Sequence, residues 1–217
     1  MLMKLLKLFF LILVVLFSTA VNTSDNEFRP VTDMTLFKEK IHTYTSENNS
    51  IQSDFIQEKH LKSVEEILIS KGHFTFQKEN NVRWEYTEPI DYAIIVHEGV
   101  FTIWDGKKIQ AYSIESNRMF TEINNMIVTS VSGNFLNNPD FESDYFENDT
   151  YYLVKLIPVK PEVKNMLTGI EIYFNKSSIS VAKVIFHEPG DDYTLISFAN
   201  TRFNQEIPEH VFKSNFN

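Results

Sequence analysis

Between residues 50 and 202, apolar and polar side chains alternate with a period of two in run after run, with turn residues between the runs. That pattern constrains the fold more than any other feature. A period of two sends successive side chains to opposite faces of a β-strand, whereas a helix needs a period of 3.6. It predicts strands over 50–59, 65–77, 82–87, 91–97, 100–105 and 108–112, and again over 151–158, 167–175, 180–188 and 194–202. His97-Glu98-Gly99 and Asp105-Gly106 tolerate positive φ between apolar runs, so neighbouring strands are expected to be joined as antiparallel hairpins. Nineteen phenylalanines, nine tyrosines and two tryptophans suit such a pleated, half-buried surface. Ten or eleven strands with few helices leave no place for alternating βαβ units. The expected class is mainly β (α+β), built on one large, curved antiparallel sheet.

Two segments break the period. Asp33 or Thr32 can cap a helix whose apolar positions Met34, Phe37, Ile41 and Tyr44 recur at helical spacing and which ends near Ser46. A second helix is expected over 117–132. Its apolar residues Met119, Phe120, Ile123, Met126, Ile127, Val128 and Val131 cover most of its circumference, where a helix lying on a sheet with its back to water would show one stripe. It needs apolar neighbours on two sides: one can be the sheet, and the other is a ligand or further core. The strands point the same way. Val82, Trp84 and Tyr86 share a face, as do Tyr92, Ile94 and Val96, and Phe101 with Ile103. A concave sheet with so many large side chains needs more filler than two short helices provide.

Residues 1–20 have the layout of a secretory signal: Lys4 and Lys7, ten apolar residues from Leu8 to Phe17, then Ser18-Thr19-Ala20. The apolar run is shorter than the roughly 20 residues a spanning helix needs, although a retained anchor is the alternative reading. The remainder, 21–217, reads as one domain. Loss of Lys4 and Lys7 would take the formal net charge from −9 to −11, a balance that repels phosphate backbones and argues against nucleic acid. The absence of cysteine excludes a disulfide framework, a Cys-based metal site, a thiol nucleophile and lipidation at an N-terminal cysteine.

Motifs for catalysis are missing. The six histidines fall in no metal-ligand spacing, there is no G-x-S-x-G elbow, and six glycines build no phosphate loop. Neither a cofactor nor a metal is expected. Glu188, Asp191 and Asp192 could pair for acid–base work or calcium, but Glu188-Pro189-Gly190-Asp191-Asp192 has the composition of a hairpin turn. Lys59, His60, Lys62 and Lys71 make a basic patch, read as a solvated edge before a docking site.

Several segments resemble one family. Ile51-Gln52-Ser53-Asp54-Phe55-Ile56-Gln57 is similar to its first strand. Ser70 to Phe76 follows, then Val82-Arg83-Trp84-Glu85-Tyr86-Thr87-Glu88-Pro89, which resembles its aromatic strand of the form R-W-x-Y-x-x-P. Met126 to Gly133 resembles a central helix, Val181 to Glu188 with Asp191 and Thr194 a late hairpin, and Asn204, Ile207 and Phe212 the closing strand. The family is that of LolA, the outer-membrane lipoprotein carriers, and the likeness spans about residues 33–213.

The resemblance implies an incomplete antiparallel β-barrel with helices as a lid over a hydrophobic cavity. It implies no catalysis, but a periplasmic carrier that takes lipoproteins from an inner-membrane ABC transporter, covers their acyl chains and delivers them to an outer-membrane acceptor; the sequence gives no basis for an oligomer, so a monomer is the default expectation. LolA-like proteins also carry other lipids or polyene pigments, and the same fold can serve a lipid-sensing adaptor. Exposing one long acyl chain to water costs roughly 10 kcal/mol at about 0.8 kcal/mol per CH2, so such cargo needs a cover. The residues expected to line the cavity are Val82, Trp84, Tyr86, Ile94, Val96, Phe101, Met119, Ile123, Met126 and Ile127. Where studied members carry an arginine and a proline that latch the lid, this chain has Lys78-Glu79-Asn80-Asn81, and no latch residue is assigned.

Overall fold

The computed structural model describes residues 27–116, 136 and 138–214. The leader at 1–20 and the helix expected over 117–132, with Met119, Ile123, Met126 and Ile127, lie outside the described residues.

Twelve antiparallel strands form one sheet. In chain order they are β1 (Arg29–Pro30), β2 (Ser50–His60), β3 (Leu68–Gln77), β4 (Asn81–Glu88), β5 (Tyr92–His97), β6 (Val100–Trp104), β7 (Ile109–Ser113), β8 (Phe141–Glu147), β9 (Tyr151–Pro158), β10 (Gly169–Asn175), β11 (Ser180–His187) and β12 (Tyr193–Phe203). Their order across the sheet is β1-β8-β9-β10-β11-β12-β2-β3-β4-β5-β6-β7. Two meanders, β2 to β7 and β8 to β12, are therefore joined where the last strand pairs with β2. That seam runs from Tyr193 opposite His60 to Phe203 opposite Ile51. A bulge interrupts it between Ala199 and Arg202, with Asn200 at φ 54°. The Ser53 hydroxyl closes the gap in the ladder by bonding Ala199 O at 2.8 Å and Thr201 Oγ1 at 2.9 Å, as the unpaired groups of a bulge require.

The strand alternation sets one face inward. Across the sheet, Phe76, Val82, Val96 and Phe101 stand opposite one another in register, as do Phe74, Trp84, Ile94 and Ile103 in the next row. The sheet curls around these rows. Trp84 on β4 and Phe198 on β12 are three strand positions apart, roughly 14 Å in a flat sheet, yet their ring centroids are 6.1 Å apart.

Helix α1 (Met34–Glu47) lies on this concave face. Asp33 caps it, its carboxylate accepting from Leu36 N–H at 2.9 Å. Phe37, Ile41 and Tyr44 form its buried stripe: Phe37 packs on Tyr145 and Tyr152, and Tyr44 on Phe174 and Phe203. A one-turn helix, α2 (Pro161–Lys164), links β9 to β10.

Three differences from the sequence reading have physical causes. Strand β8 was not expected, because its acidic Phe-Glu-Ser-Asp-Tyr-Phe-Glu run has low strand propensity and is held by its pairing with β9. The two-residue β1 covers the outer edge of β8, too short to show a period. Strand β3 begins at Leu68 where 65 was expected, and Glu65 and Glu66 belong to the β2–β3 loop.

The turns follow the residue chemistry. Glu98 and Gly99 take φ of 48° and 76° between β5 and β6, and Gly106 takes 83° between β6 and β7. Glu188 to Asp192 make the β11–β12 turn, with Gly190 and Asp191 at positive φ.

Candidate functional site: the concave aromatic wall

The inner face of β2, β3, β4 and β5 carries the densest aromatic packing among the described residues. Gly72 makes it possible. A Cβ there would lie 1.8 Å from the Glu85 carbonyl oxygen and 2.9 Å from Phe55 Cζ. The Phe55 ring occupies the space that a side chain at 72 would take, and from there meets Trp84 and Tyr86 at centroid distances of 4.9 and 5.2 Å. Phe74 adds an edge contact to Trp84 at 5.0 Å. These are tilted and edge-to-face arrangements, the preferred geometry of aromatic pairs.

Six of the residues expected to line a cavity are described, and all six face this side. Val82, Val96 and Phe101 are sealed within the core, and Trp84 is buried among Phe55, Phe74 and Phe198. Tyr86 and Ile94 are half-buried, as are Ile103 and Phe198, which pack beside them. The wall thus has a fixed base and a partly open inner surface. Phe55, Phe74 and Phe198 were missed by the sequence reading of the site. Their signal was present in part: Phe55 lies in phase with Ile51 and Ser53, and Phe74 with Phe76, and the structure buries all three of those neighbours.

The wall is sparing in polar groups. The Tyr86 hydroxyl donates to Gln57 Oε1 at 2.8 Å, and burial pushes that hydroxyl up to about 12. The Trp84 indole Nε1 is buried and makes no hydrogen bond of good geometry, although the Tyr86 hydroxyl is close enough to feel it as a donor.

Away from the wall, on the concave side near the β8–β9 turn, sits one buried carboxylate. Glu147 accepts from Thr32 N–H at 3.0 Å, from the Thr32 hydroxyl at 2.7 Å and from Lys176 Nζ at 2.7 Å. Burial pushes its carboxyl up, but those three donors and the Lys176 charge outweigh it and hold it down at about 2. The Lys176 ammonium also lies 4.7 Å from the centre of the Tyr152 ring.

The convex face is polar in the same strands. Arg83 makes a two-pronged contact with Glu85, both bonds 2.9 Å, and donates from Nη1 to Val211 O at 3.1 Å. The R-W-x-Y-x-x-P stretch therefore divides its work: Trp84 and Tyr86 build the inner wall, Arg83 ties the C-terminal segment to the outside, and Pro89 follows a cis peptide. Asp54 binds His73 Nδ1 at 2.8 Å and accepts from Asn200 Nδ2 at 2.7 Å, and those two partners hold its carboxyl below its usual range. Ser53, next in sequence, does not join this Asp–His pair: its hydroxyl turns into the β12 bulge.

The acidic turn and the basic patch answer each other, since Lys59 pairs with Glu188 and Lys62 with Asp191, while Lys71 pairs with Glu88 across the β3–β4 hairpin. Among the described residues no group of three or more His, Asp or Glu side chains is placed to hold a metal ion, and no helix is long and apolar enough to cross a membrane.

An open antiparallel cup, helix-packed and lined with aromatic and aliphatic side chains on its concave face, defines the class of protein to which this chain is assigned. The chain belongs to the family described as outer membrane lipoprotein carrier protein LolA, which matches residues 46–215. It is a family of carriers. No curated protein matches the chain by sequence.

Solved structures similar in fold include a LolA superfamily protein of Nitrosomonas europaea, at 10% identity, TM-score 0.43, covering 82% of this chain and 97% of that one. Another is a putative outer membrane lipoprotein-sorting protein domain of Vibrio parahaemolyticus, at 9% identity, TM-score 0.42, covering 82% and 96%. The lipoprotein LppX of Mycobacterium tuberculosis is similar at 10% identity and TM-score 0.43, covering 79% and 94%.

Proposed function

We propose that this protein is a periplasmic carrier that covers the acyl chains of lipoproteins with its concave wall and moves them from the inner to the outer membrane. The observation that carries the reading is the partly open aromatic surface itself. Tyr86, Ile94, Ile103 and Phe198 stay only partly buried on the inside of the cup, above a base that is fully packed. A guest that completes the burial of those side chains must be apolar and adaptable in shape, and an acyl chain is both. In this reading Tyr86 and Ile94, with Ile103 and Phe198 beside them, meet the acyl chain over a packed base of Val82, Trp84, Val96 and Phe101, and Met119, Ile123, Met126 and Ile127 are proposed as further acyl contacts. The exchange partners are an inner-membrane ABC transporter and an outer-membrane acceptor.

Native mass spectrometry of the protein purified from its own cell envelope tests this. A bound triacylated lipoprotein supports the reading, a free lipid or pigment replaces the cargo, and a consistently empty protein overturns it. The clean variant is Ile94→Glu, since Ile94 is half-buried while Trp84 is packed on three rings. It should lose bound acyl cargo at least tenfold while keeping its circular dichroism.

A further inference from the structure

Among the described residues, the end of the cup formed by the loops at 61–67, 89–91 and 188–192 gathers five exposed large apolar side chains. Val64, Ile67, Leu68 and Ile69 are all exposed on or beside the β2–β3 loop, and Ile90, next to it after β4, is 67% exposed. Val64 and Ile67 lie in the β2–β3 loop, Leu68 and Ile69 open β3, and Ile90 lies in the β4–β5 loop, so a single stray side chain does not explain them, and exposed apolar groups gathered at one end of a fold mark a site of contact.

The hairpin also projects. β3 starts at Leu68, paired with Lys59, but its partner on the other side, β4, joins it only at Lys71 opposite Glu88. Leu68, Ile69 and Ser70 extend beyond β4 by three residues, roughly 10 Å at about 3.3 Å per residue. The result is a protruding aliphatic edge, a shape that penetrates where a groove would receive.

Charge selects what it penetrates. The lysines nearest the tip, Lys59, Lys62 and Lys71, are each tied to a carboxylate, Glu188, Asp191 and Glu88. Among the described residues Glu65 and Glu66, at the tip itself, enter no ion pair, and the whole chain carries a net charge of −9. An anionic surface would repel this tip. The outward ammonium groups of zwitterionic phospholipids complement it, with the apolar side chains reaching the boundary of headgroups and acyl chains, roughly 5–10 Å deep.

We propose that the β2–β3 tip, with Ile90 beside it, is a docking wedge for a zwitterionic phospholipid surface. The wedge acts whether or not the concave wall holds cargo.

Flotation of the purified protein with phosphatidylcholine vesicles tests it. The protein is expected to float with these vesicles, and replacing part of the phosphatidylcholine with phosphatidylglycerol should reduce the bound fraction. The combined change Ile67→Ser, Leu68→Ser and Ile69→Ser should lower binding by at least about tenfold, given the apolar surface it removes. Glu65→Lys with Glu66→Lys should reverse the lipid preference. If the triple variant loses its native circular dichroism, Ile90→Ser, in a different loop, takes its place and should weaken binding severalfold. Ile94→Glu, which alters only the wall, should float like the unmodified protein, so failure of the wedge and failure of the acyl site are separable. No flotation with neutral vesicles, undiminished flotation of a folded tip variant, or binding that grows with phosphatidylglycerol content would overturn the proposal.

Discussion

The two faces of strands β2 to β5 use the same stretches of chain in opposite ways. Phe55, Phe74, Trp84 and Tyr86 face inward and are held by ring-on-ring packing, while Asp54, His73, Arg83 and Glu85, their immediate neighbours, face outward and are held by hydrogen bonds and ion pairs. Each inner side chain touches many others and depends on volume; each outer one has one or two partners and depends on charge and direction. The contrast teaches that alternation sorts residues by face, but that the two faces fail for different reasons when altered. β5 adds an exception. Ile95 points outward, yet is buried beneath Ile207 and Phe212 of the C-terminal segment, so its Ala-Ile-Ile-Val run is apolar on both faces.

The strongest way to break the contrast is Gly72→Val. Its side chain would collide with the Glu85 backbone and displace Phe55, so both faces should fail together. A loss of more than about 4 kcal/mol is expected, seen as an unfolded circular dichroism spectrum at room temperature; a native spectrum would show that the inner wall does not require the gap.

Glu147 tests the rule that a polar group on the concave side is tolerated only when fully paired. Glu147→Gln should cost about 2 kcal/mol in denaturant unfolding. Because the folded carboxyl is held down at about 2 from an ordinary value of 4.5, its contribution is complete above about pH 4.5 and is lost as the pH falls toward 2. The Gln variant should therefore lose less stability than the parent across that window; parallel pH profiles would refute the assignment.

On the outer face, Arg83→Ala should cost about 1–2 kcal/mol and, more tellingly, release residues 204–214 to limited proteolysis while the sheet stays intact. Unchanged cleavage would mean that Ile207 and Phe212, with the Asn49 and Ser50 bonds to residues 204–205, hold the segment without Arg83. The smallest effect is expected from Lys62→Ala, an exposed ion pair with Asp191, which should leave the melting temperature unchanged within error.

Much of this was readable in advance, and the reason lies in local chemistry. The helix capped by Asp33, the turns at Glu98-Gly99 and Gly106, and the shared face of Val82, Trp84 and Tyr86 depend only on neighbouring residues. The inner-wall members Phe55, Phe74 and Phe198 were legible in phase but not in role, since nothing local says that Gly72 opens a space for Phe55. The Lys59–Glu188 and Lys62–Asp191 pairs were legible only as two unconnected clusters more than 100 residues apart.

What the sequence alone determined is the family, the sheet-forming strands, their antiparallel hairpins and which side chains share a face, because periodicity and turn residues act over a few positions. What only the tertiary structure decided is the seam between β12 and β2, the strand status of acidic β8, the Arg83 tie to Val211 and the pairing of Lys59, Lys62 and Lys71 with Glu188, Asp191 and Glu88. The seam, the Arg83 tie and the Lys59 and Lys62 pairs join residues more than 100 positions apart, while β8 on β9 and Lys71 on Glu88 join neighbouring strands. The long-range contacts depend on the curvature that brings the partners together, and curvature belongs to the whole sheet; the short-range ones depend on a register that the residue pattern alone does not show.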